Sequence, residues 1–341
     1  MQEEVRVVLD AMGGDHAPEE MIKGAVEAVN EKNNIHVLLV GQEDVISEEL
    51  EKYTYPKERM EIVHASEVIE TAEPPVMAIR KKKDSSIVVG MNMVKNGEAD
   101  AFVSAGSSGA ILVGGQVIVG RIKGIERPPL APLIPTEQGV SLLVDCGANV
   151  DARPSHLVQF AKMGSIYMKN IEGIENPRVG IINIGAEDEK GNELVKSTIP
   201  LLRECKDINF IGSVESRDIP NGPADVLVCE AFVGNVLLKF FEGLGKMFMA
   251  EIKDTLKSSV KTKIGGALIY KPIKKTFKRY MADDKGGAPL LGLKGLVVKI
   301  HGNSKDTEVR SAIEQCRNFV KKDVTNQIIR TFVEEENKGE N

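Results

Sequence analysis

Asp10-Ala11-Met12-Gly13-Gly14-Asp15 closes an apolar run that begins at Val5, and His16 and Pro18 follow it. Ser104-Ala105-Gly106-Ser107-Ser108-Gly109 closes a second run, and Asp145-Cys146-Gly147-Ala148-Asn149, Asn183-Ile184-Gly185 and His301-Gly302 close three more. An acid, amide or hydroxyl beside glycines at a strand end gathers backbone N–H groups at a mouth where no Cβ keeps an anion away. The candidate oxyanion-binding residues are therefore Asp10, Gly13, Gly14, Ser104, Gly106, Ser107, Ser108, Gly109, Asn149, Asn183, Gly185 and His301. Each has an ordinary use as well: Gly and Ser form turns, Asp and Asn cap helices, and a His at a strand end is commonly structural.

Two side chains are candidates for chemistry itself. Lys190, in Glu187-Asp188-Glu189-Lys190-Gly191, is a cation beside a glycine shortly after an apolar run, where it can meet a phosphate and Glu187 can orient it. The alternative is a solvated charged loop, as most charge runs are. Asn235 opens a long helical pattern and can donate its amide to a developing oxyanion, cap the helix, or do both. Arg121 and Arg127 have the forked geometry for phosphate, with a surface role equally open to them. Asp10, Asp15, Asp145 and Asp151 are acids that helix capping also calls for, so no metal is assigned. Dinucleotide, nucleoside triphosphate and serine hydrolase readings have no motif behind them, because no G-x-G-x-x-G, P-loop or G-x-S-x-G pattern occurs.

Short β-branched runs alternate with helical-period segments along the whole chain, which predicts an α/β fold with a mostly parallel sheet. The strand candidates are Val5–Asp10, Ile35–Gly41, Met60–His64, Asp100–Ser104, Ser141–Asp145, Arg178–Ile184, Asn209–Ser213, Asp225–Cys229 and Leu296–His301. Runs such as Val37-Leu38-Leu39-Val40 are continuously apolar, as strands covered on both faces are. Their glycine-rich following loops are where sites gather in such sheets. Pro128, Pro129, Pro132 and Pro135 read as a stiff extended connector, and residues 1–341 as a single domain.

A net charge of −6, fifteen aromatics (10 Phe and 5 Tyr) and no Trp leave neither the basic surface nor the stacking platforms of a nucleic-acid binder. Cys146, Cys205, Cys229 and Cys316 form no C-x-x-C pair and read as buried thiols of a reducing cytosol. A cytoplasmic protein is expected, since no run is long enough to span a bilayer and no signal peptide is evident. One segment departs from the acidic average. From Lys253 to Arg279, nine basic residues stand against Asp254 alone, around the apolar stretch Ile264-Gly265-Gly266-Ala267-Leu268-Ile269-Tyr270. The spacing predicts a helical hairpin over about 235–283 that turns at this stretch. Leu268, Ile269 and Tyr270 would then be a tip that dips among lipids while lysines meet anionic headgroups, or a surface buried against a second copy.

Several of these motifs, in order, resemble the bacterial phosphate acyltransferases. The resemblance rests on the Asp10–Pro18 junction, on Asp145-Cys146-Gly147-Ala148-Asn149, on Asn183–Gly191 as N-I-G-x-E-x-x-K-G, on Gly234-Asn235-Val236-x-Leu238-Lys239, on Gly286-Gly287-Ala288-Pro289-Leu290-Leu291-Gly292 and on His301-Gly302. The family usually has S-A-G-N-T-G-A where this chain has Ser107 and Ser108, so the usual Asn and Thr are replaced by two serines. The resemblance implies a three-layer α/β/α sandwich of the isocitrate and isopropylmalate dehydrogenase type. It implies reversible transfer of a long fatty acyl group from acyl carrier protein to inorganic phosphate, giving acyl phosphate for phospholipid synthesis, with no cofactor. It further implies a homodimer held peripherally at the inner face of the membrane, where a glycerol-3-phosphate acyltransferase takes the product. Lys190 and Asn235 are the leading catalytic residues on this reading. Phosphotransacetylase acting on short acyl-CoA is the nearest alternative, a metal-dependent hydroxyacid dehydrogenase a third, and a membrane-recruited scaffold without activity a fourth.

Overall fold

The computed structural model describes residues 4–280 and 286–339. Along the chain run β1 (Val5–Asp10), α1 (Glu19–Glu31), β2 (Ile35–Gly41), α2 (Glu43–Leu50), β3 (Met60–His64), α3 (Pro75–Lys81), α4 (Ser86–Lys95), β4 (Ala101–Ser104) and α5 (Ser108–Gly114). Then come β5 (Leu133–Thr136), β6 (Gly139–Val144), α6 (Pro154–Tyr167), β7 (Arg178–Asn183), α7 (Glu193–Glu204), β8 (Asn209–Glu215) and β9 (Val226–Val228). Two long helices, α8 (Ala231–Lys257) and α9 (Val260–Tyr280), precede β10 (Ala288–Pro289), β11 (Leu296–Lys299), α10 (Asp306–Lys321) and α11 (Val324–Gly339). The nine strand candidates are all present, with ends displaced by two residues at most.

The strands make two sheets, in the orders β10-β11-β4-β1-β2-β3 and β5-β6-β9-β7-β8. Every pairing is parallel except β10 with β11 and β5 with β6, which close one edge of each sheet. Both of these edge strands contain proline, which lacks the N–H a central strand must donate, and neither has the apolar alternation that marks a strand in sequence. The proline stretch is thus more than a connector. Leu130 pairs antiparallel with Leu290, the Ala131 N–H donates to the Pro289 carbonyl at 3.0 Å, and the Leu291 N–H donates to the Pro129 carbonyl at 3.0 Å before β5 joins β6. This stretch stitches the second sheet to the edge of the first.

The largest core joins the two sheets: Val7 and Leu9 of β1, Val144 of β6 and Val228 of β9 are buried in it with Phe160 and Tyr167 of α6. A second core on the other face of the first sheet holds Val8, Phe102 and Val297 beneath Ile87 and Met91 of α4. Residues on alternate faces of the central strands of the first sheet feed different cores, so those strands are apolar almost throughout.

The hairpin turns at Ser258-Ser259 and not at the apolar stretch. The Ser259 hydroxyl accepts from the Thr262 N–H at 3.1 Å and so starts α9 early. Two glycines do not break the helix here, because a Cβ on Gly266 would press within 3.3 Å of Leu256 on α8 and the glycine lets the two helices meet. Leu268, Ile269 and Tyr270 are exposed on the body of α9, with Leu268 at 79%. Residues 281–283 of the expected hairpin, and the side chains of Lys274, Lys275, Lys278 and Arg279, lie outside the described residues.

Gly234, in the first turn of α8, lies against the Asp145 backbone carbonyl so closely that a Cβ there would overlap it. Gly234→Ala is therefore expected to destabilise the fold by about 1–3 kcal/mol, read as a lower midpoint in urea unfolding, because helix and loop must separate to admit one methyl group.

Candidate active site

Three strand ends lie side by side at the carboxyl edge of the first sheet. Lys299 is in register with Ser104, and Ser104 lies one step beyond the Leu9–Val103 pair, opposite Asp10. The three side chains lie two residues beyond Val8, Phe102 and Val297, so all project on the face of the second core. Asp10 is only 1% exposed. Its carboxyl group accepts from the Ser104 hydroxyl at 2.6 Å and from the Met12 N–H at 3.2 Å, with Ser86 and the Gly13 N–H as further donors. Burial pushes its pKa up, and these donors pull against that shift without cancelling it.

Above this row is a cavity of about 290 Å³, lined by Met12, Gly13, Gly14, Asp15, Val68, Ile69, Glu70, Thr71, Ala105, Gly106, Ser108, Lys299 and Gly302. Gly14 adopts φ +102°, and the Asp15 N–H donates to the Gly302 carbonyl at 2.6 Å, which ties the loop after β1 to the loop after β11. The Lys299 ammonium donates to the Ile300 carbonyl, and burial lowers its pKa to about 8 while Asp15 opposes the shift.

The second sheet has its own buried acid. Asp145 accepts from the N–H groups of Leu130 (2.9 Å), Gly147 (3.2 Å), Ala148 (3.2 Å) and Asn149 (2.7 Å), and from the Asn149 amide at 2.8 Å. Burial still pushes its pKa up. Glu230 caps α8 by accepting from the N–H groups of Phe232 and Val233. Asn235 is consequently inside the helix and not its cap, and its amide donates to the Cys146 carbonyl at 3.3 Å. Two turns further on, Glu242 meets the His301 imidazole at 3.0 Å and so joins α8 to the strand end beside the cavity. Burial pushes the Glu242 carboxyl up, but His301, Lys246 and Lys239 together hold it below its usual range.

Of the residues expected from sequence, Gly13, Gly14, Gly106 and Ser108 line the cavity, with Asp10 and Ser104 hydrogen-bonded beneath. Ser107 caps α5 by accepting from the Ala110 N–H at 3.4 Å, and Gly109 packs on Pro75. Asn149 supports Asp145 and the Pro128 carbonyl. Asn183 donates to the Lys190 carbonyl and the Ser213 hydroxyl, both at 3.1 Å, and Gly185 leaves room for the Lys190 side chain. Lys190 is not among the residues that line the cavity. It lies in the loop after β7 of the second sheet, half exposed and paired with Glu187 at 2.8 Å. Sequence reasoning missed Lys299, whose signal was a lone charge ending the strand Leu-Val-Val-Lys, and Glu242, whose signal was its place two turns after Asn235. Burial pushes the Cys146 and Cys229 thiols far up, so both stay protonated and neither is a nucleophile.

Residues 5–327 match the family described as "Fatty acid synthesis protein". A phosphate acyltransferase of Clostridium novyi (strain NT) is 50% identical across 95% of this chain and 97% of its own. Another, of Alkaliphilus oremlandii (strain OhILAs), is 50% identical across 95% and 96%. The chain belongs to the phosphate acyltransferase family. Its members are acyltransferase enzymes, and the chain is one. Solved structures with a similar fold include a phosphotransacetylase from Streptococcus pyogenes (TM-score 0.62, 16% identity, 93% of this chain and 94% of that one) and one from Staphylococcus aureus (TM-score 0.57, 17% identity, 92% and 94%). At that identity the likeness is one of fold. The α/β class with mostly parallel strands, expected from sequence, is the one found, although the strands divide between two sheets.

In this phosphate acyltransferase Asp10 makes a pH-dependent contribution to stability. A carboxyl group whose pKa rises on folding favours the folded state at low pH, and that contribution is lost as pH climbs through the folded value. The stability of Asp10→Asn relative to wild type is therefore expected to improve between about pH 4 and pH 7. Urea unfolding at both pH values checks this; a difference that stays constant would mean that Asp10 is not ionised at a cost in the folded protein.

Proposed function

We propose that this acyltransferase moves a long-chain fatty acyl group, reversibly, from the thioester of acyl carrier protein to inorganic phosphate. The observation that carries the reading is the cavity at the carboxyl ends of β1, β4 and β11, where Gly13, Gly14, Gly106, Gly302 and Lys299, with the carboxylates Asp15 and Glu70, line a space of about 290 Å³ that a small oxyanion can enter, in a chain whose relatives are named phosphate acyltransferases. A phosphate oxygen attacks the thioester carbonyl carbon, the new O–C bond forms, and the C–S bond breaks as the electron pair leaves on sulfur. A thiol with a pKa near ~8.5 departs with little help from an acid, so positioning and charge stabilisation do most of the work. No protein nucleophile, metal or cofactor enters this scheme.

Asn235, within the first turns of α8, and Lys190, in the loop after β7, are assigned to the thioester side, the amide to its carbonyl oxygen and the ammonium to the anionic arm of the carrier. The exposed stripe of Phe232, Val236, Phe240 and Met247 along α8 suits a second copy of the chain. The exposed Leu268, Ile269 and Tyr270 beside Lys263 and Lys271 suit an anionic membrane surface, and no helix among the described residues is long and apolar enough to cross a membrane. The protein is accordingly read as a single-domain cytoplasmic homodimer at the inner membrane face, handing acyl phosphate to a glycerol-3-phosphate acyltransferase. A second reading has support in the shared fold: transfer from short acyl-CoA, as the name phosphotransacetylase implies.

Purified protein given palmitoyl carrier protein and labelled phosphate is expected to form a labelled acyl product, with acetyl-CoA reacting at least tenfold more slowly. Equal or faster turnover of acetyl-CoA would install the second reading. For the membrane surface, Leu268→Glu combined with Ile269→Glu is expected to abolish most sedimentation with anionic liposomes and to leave turnover in solution near wild type; sedimentation at the wild-type level removes that assignment.

A further inference from the structure

We propose that Lys299 is the residue that binds the attacking phosphate, an assignment resting on the reaction just described. Lys299 ends β11 in register with Ser104 and is the one cation among the described residues that line the cavity, where Gly13, Gly14, Gly106 and Gly302 line the same space. Glycines at four of these positions leave the volume that a tetrahedral oxyanion needs beside an ammonium group. An ammonium has three donors, and among the described residues the Lys299 Nζ donates to the Ile300 carbonyl alone, so two are left for a ligand.

The charges around Lys299 make its own charge decisive. Asp15 and Glu70 face the cavity, Asp10 lies beneath, and His301, two residues on, is turned to Glu242. With Lys299 neutral, the described lining residues hold two carboxylates and no positive charge, and a phosphate dianion is repelled. With Lys299 charged, the anion gains a charge-assisted hydrogen bond from a partly buried ammonium, stronger than one between neutral groups. Lys299 remains an ammonium through the reaction. It donates no proton; it neutralises the phosphate before attack and the spread charge as the O–C bond forms and the thiolate departs. Its pKa of about 8 leaves it mostly charged at pH 7 and brings its titration into an accessible range. Lys190 differs in every respect: it is half exposed, it is occupied by Glu187, and it belongs to the other sheet.

Binding of inorganic phosphate, measured by calorimetry on the full chain, tests the assignment independently of turnover. Lys299→Met is expected to weaken phosphate binding by roughly a hundredfold and to raise the KM for phosphate far more than it lowers kcat. Lys190→Ala is expected to change phosphate affinity less than threefold. Wild-type affinity is expected to fall as pH rises past about 8, approaching tenfold per pH unit, in a range where phosphate is already a dianion. Lys299→Arg, whose guanidinium does not titrate, is expected to be flat over the same range. Unchanged affinity in Lys299→Met, or a wild type that binds no phosphate, overturns the proposal. Should Lys299→Met fail to fold, the two pH profiles decide, and a wild-type profile as flat as that of Lys299→Arg overturns it. A wild type that binds phosphate through Lys299 yet never forms acyl phosphate upholds this site and sinks the reaction instead.

Discussion

One buried carboxyl group organises the carboxyl edge of the first sheet. A group as enclosed as Asp10 is tolerated only when its oxygens are met by donors, since an unpartnered polar atom in such a place costs more than most single contacts return. The donors come from three directions: the hydroxyl of Ser104 on β4, Ser86 at the start of α4, and the N–H groups of the loop after β1. Strand, helix and loop are thereby fixed to one point. Gly13 follows from this arrangement, because a Cβ there would fall 2.5 Å from the Asp10 Oδ2 and 2.7 Å from the Gly106 nitrogen. The loops can close over the acid only if that side chain is missing, and their closure is what shapes the cavity.

The second sheet solves the same problem with Asp145. Its loop curls round the carboxyl group so that the N–H groups of Gly147, Ala148 and Asn149 all point inward. A fourth donor, the Leu130 N–H, belongs to the proline stretch that is also bridged to Leu290 beside the first sheet. The two sheets are therefore indexed to each other by a residue that answers to both. Neither acid is exposed enough to act on a substrate, and their raised pKa values mark enclosure here and not catalysis.

The strands were legible because most are short apolar, β-branched runs between helical-period segments; β1, β2 and β3 lie where those runs lie, and β1 also stops at an acid followed closely by glycines. The edge strands were not legible, because β5 and β10 are short, contain proline and are defined by their partners. The hairpin was legible as two helices, but its turn was misplaced: Gly265-Gly266 looks like a break in one dimension, while in three it is the place where α9 comes close to α8. Glycine-bordered strand ends located the cavity. They did not reveal which polar residues face it, since Ser107 and Asn149 have the right chemistry for a site and spend it on their own loops. Lys299 was missed for the opposite reason: its one signal, a lone charge ending an apolar strand, is also what a surface lysine at a strand end shows.

The contact between Glu242 and His301 gives α8 a mechanical meaning. The helix is one rod of 27 residues, about 40 Å long, held at its first turn by Gly234 against the Asp145 carbonyl. Glu242 lies roughly two-fifths of the way along, so the rod is anchored at two points, the Asp145 carbonyl and the imidazole of His301, two residues beyond Lys299. About the Asp145 contact, Glu242 sits at about a third of the arm that ends at Lys257, so a displacement of the outer end would arrive at His301 reduced by about two-thirds.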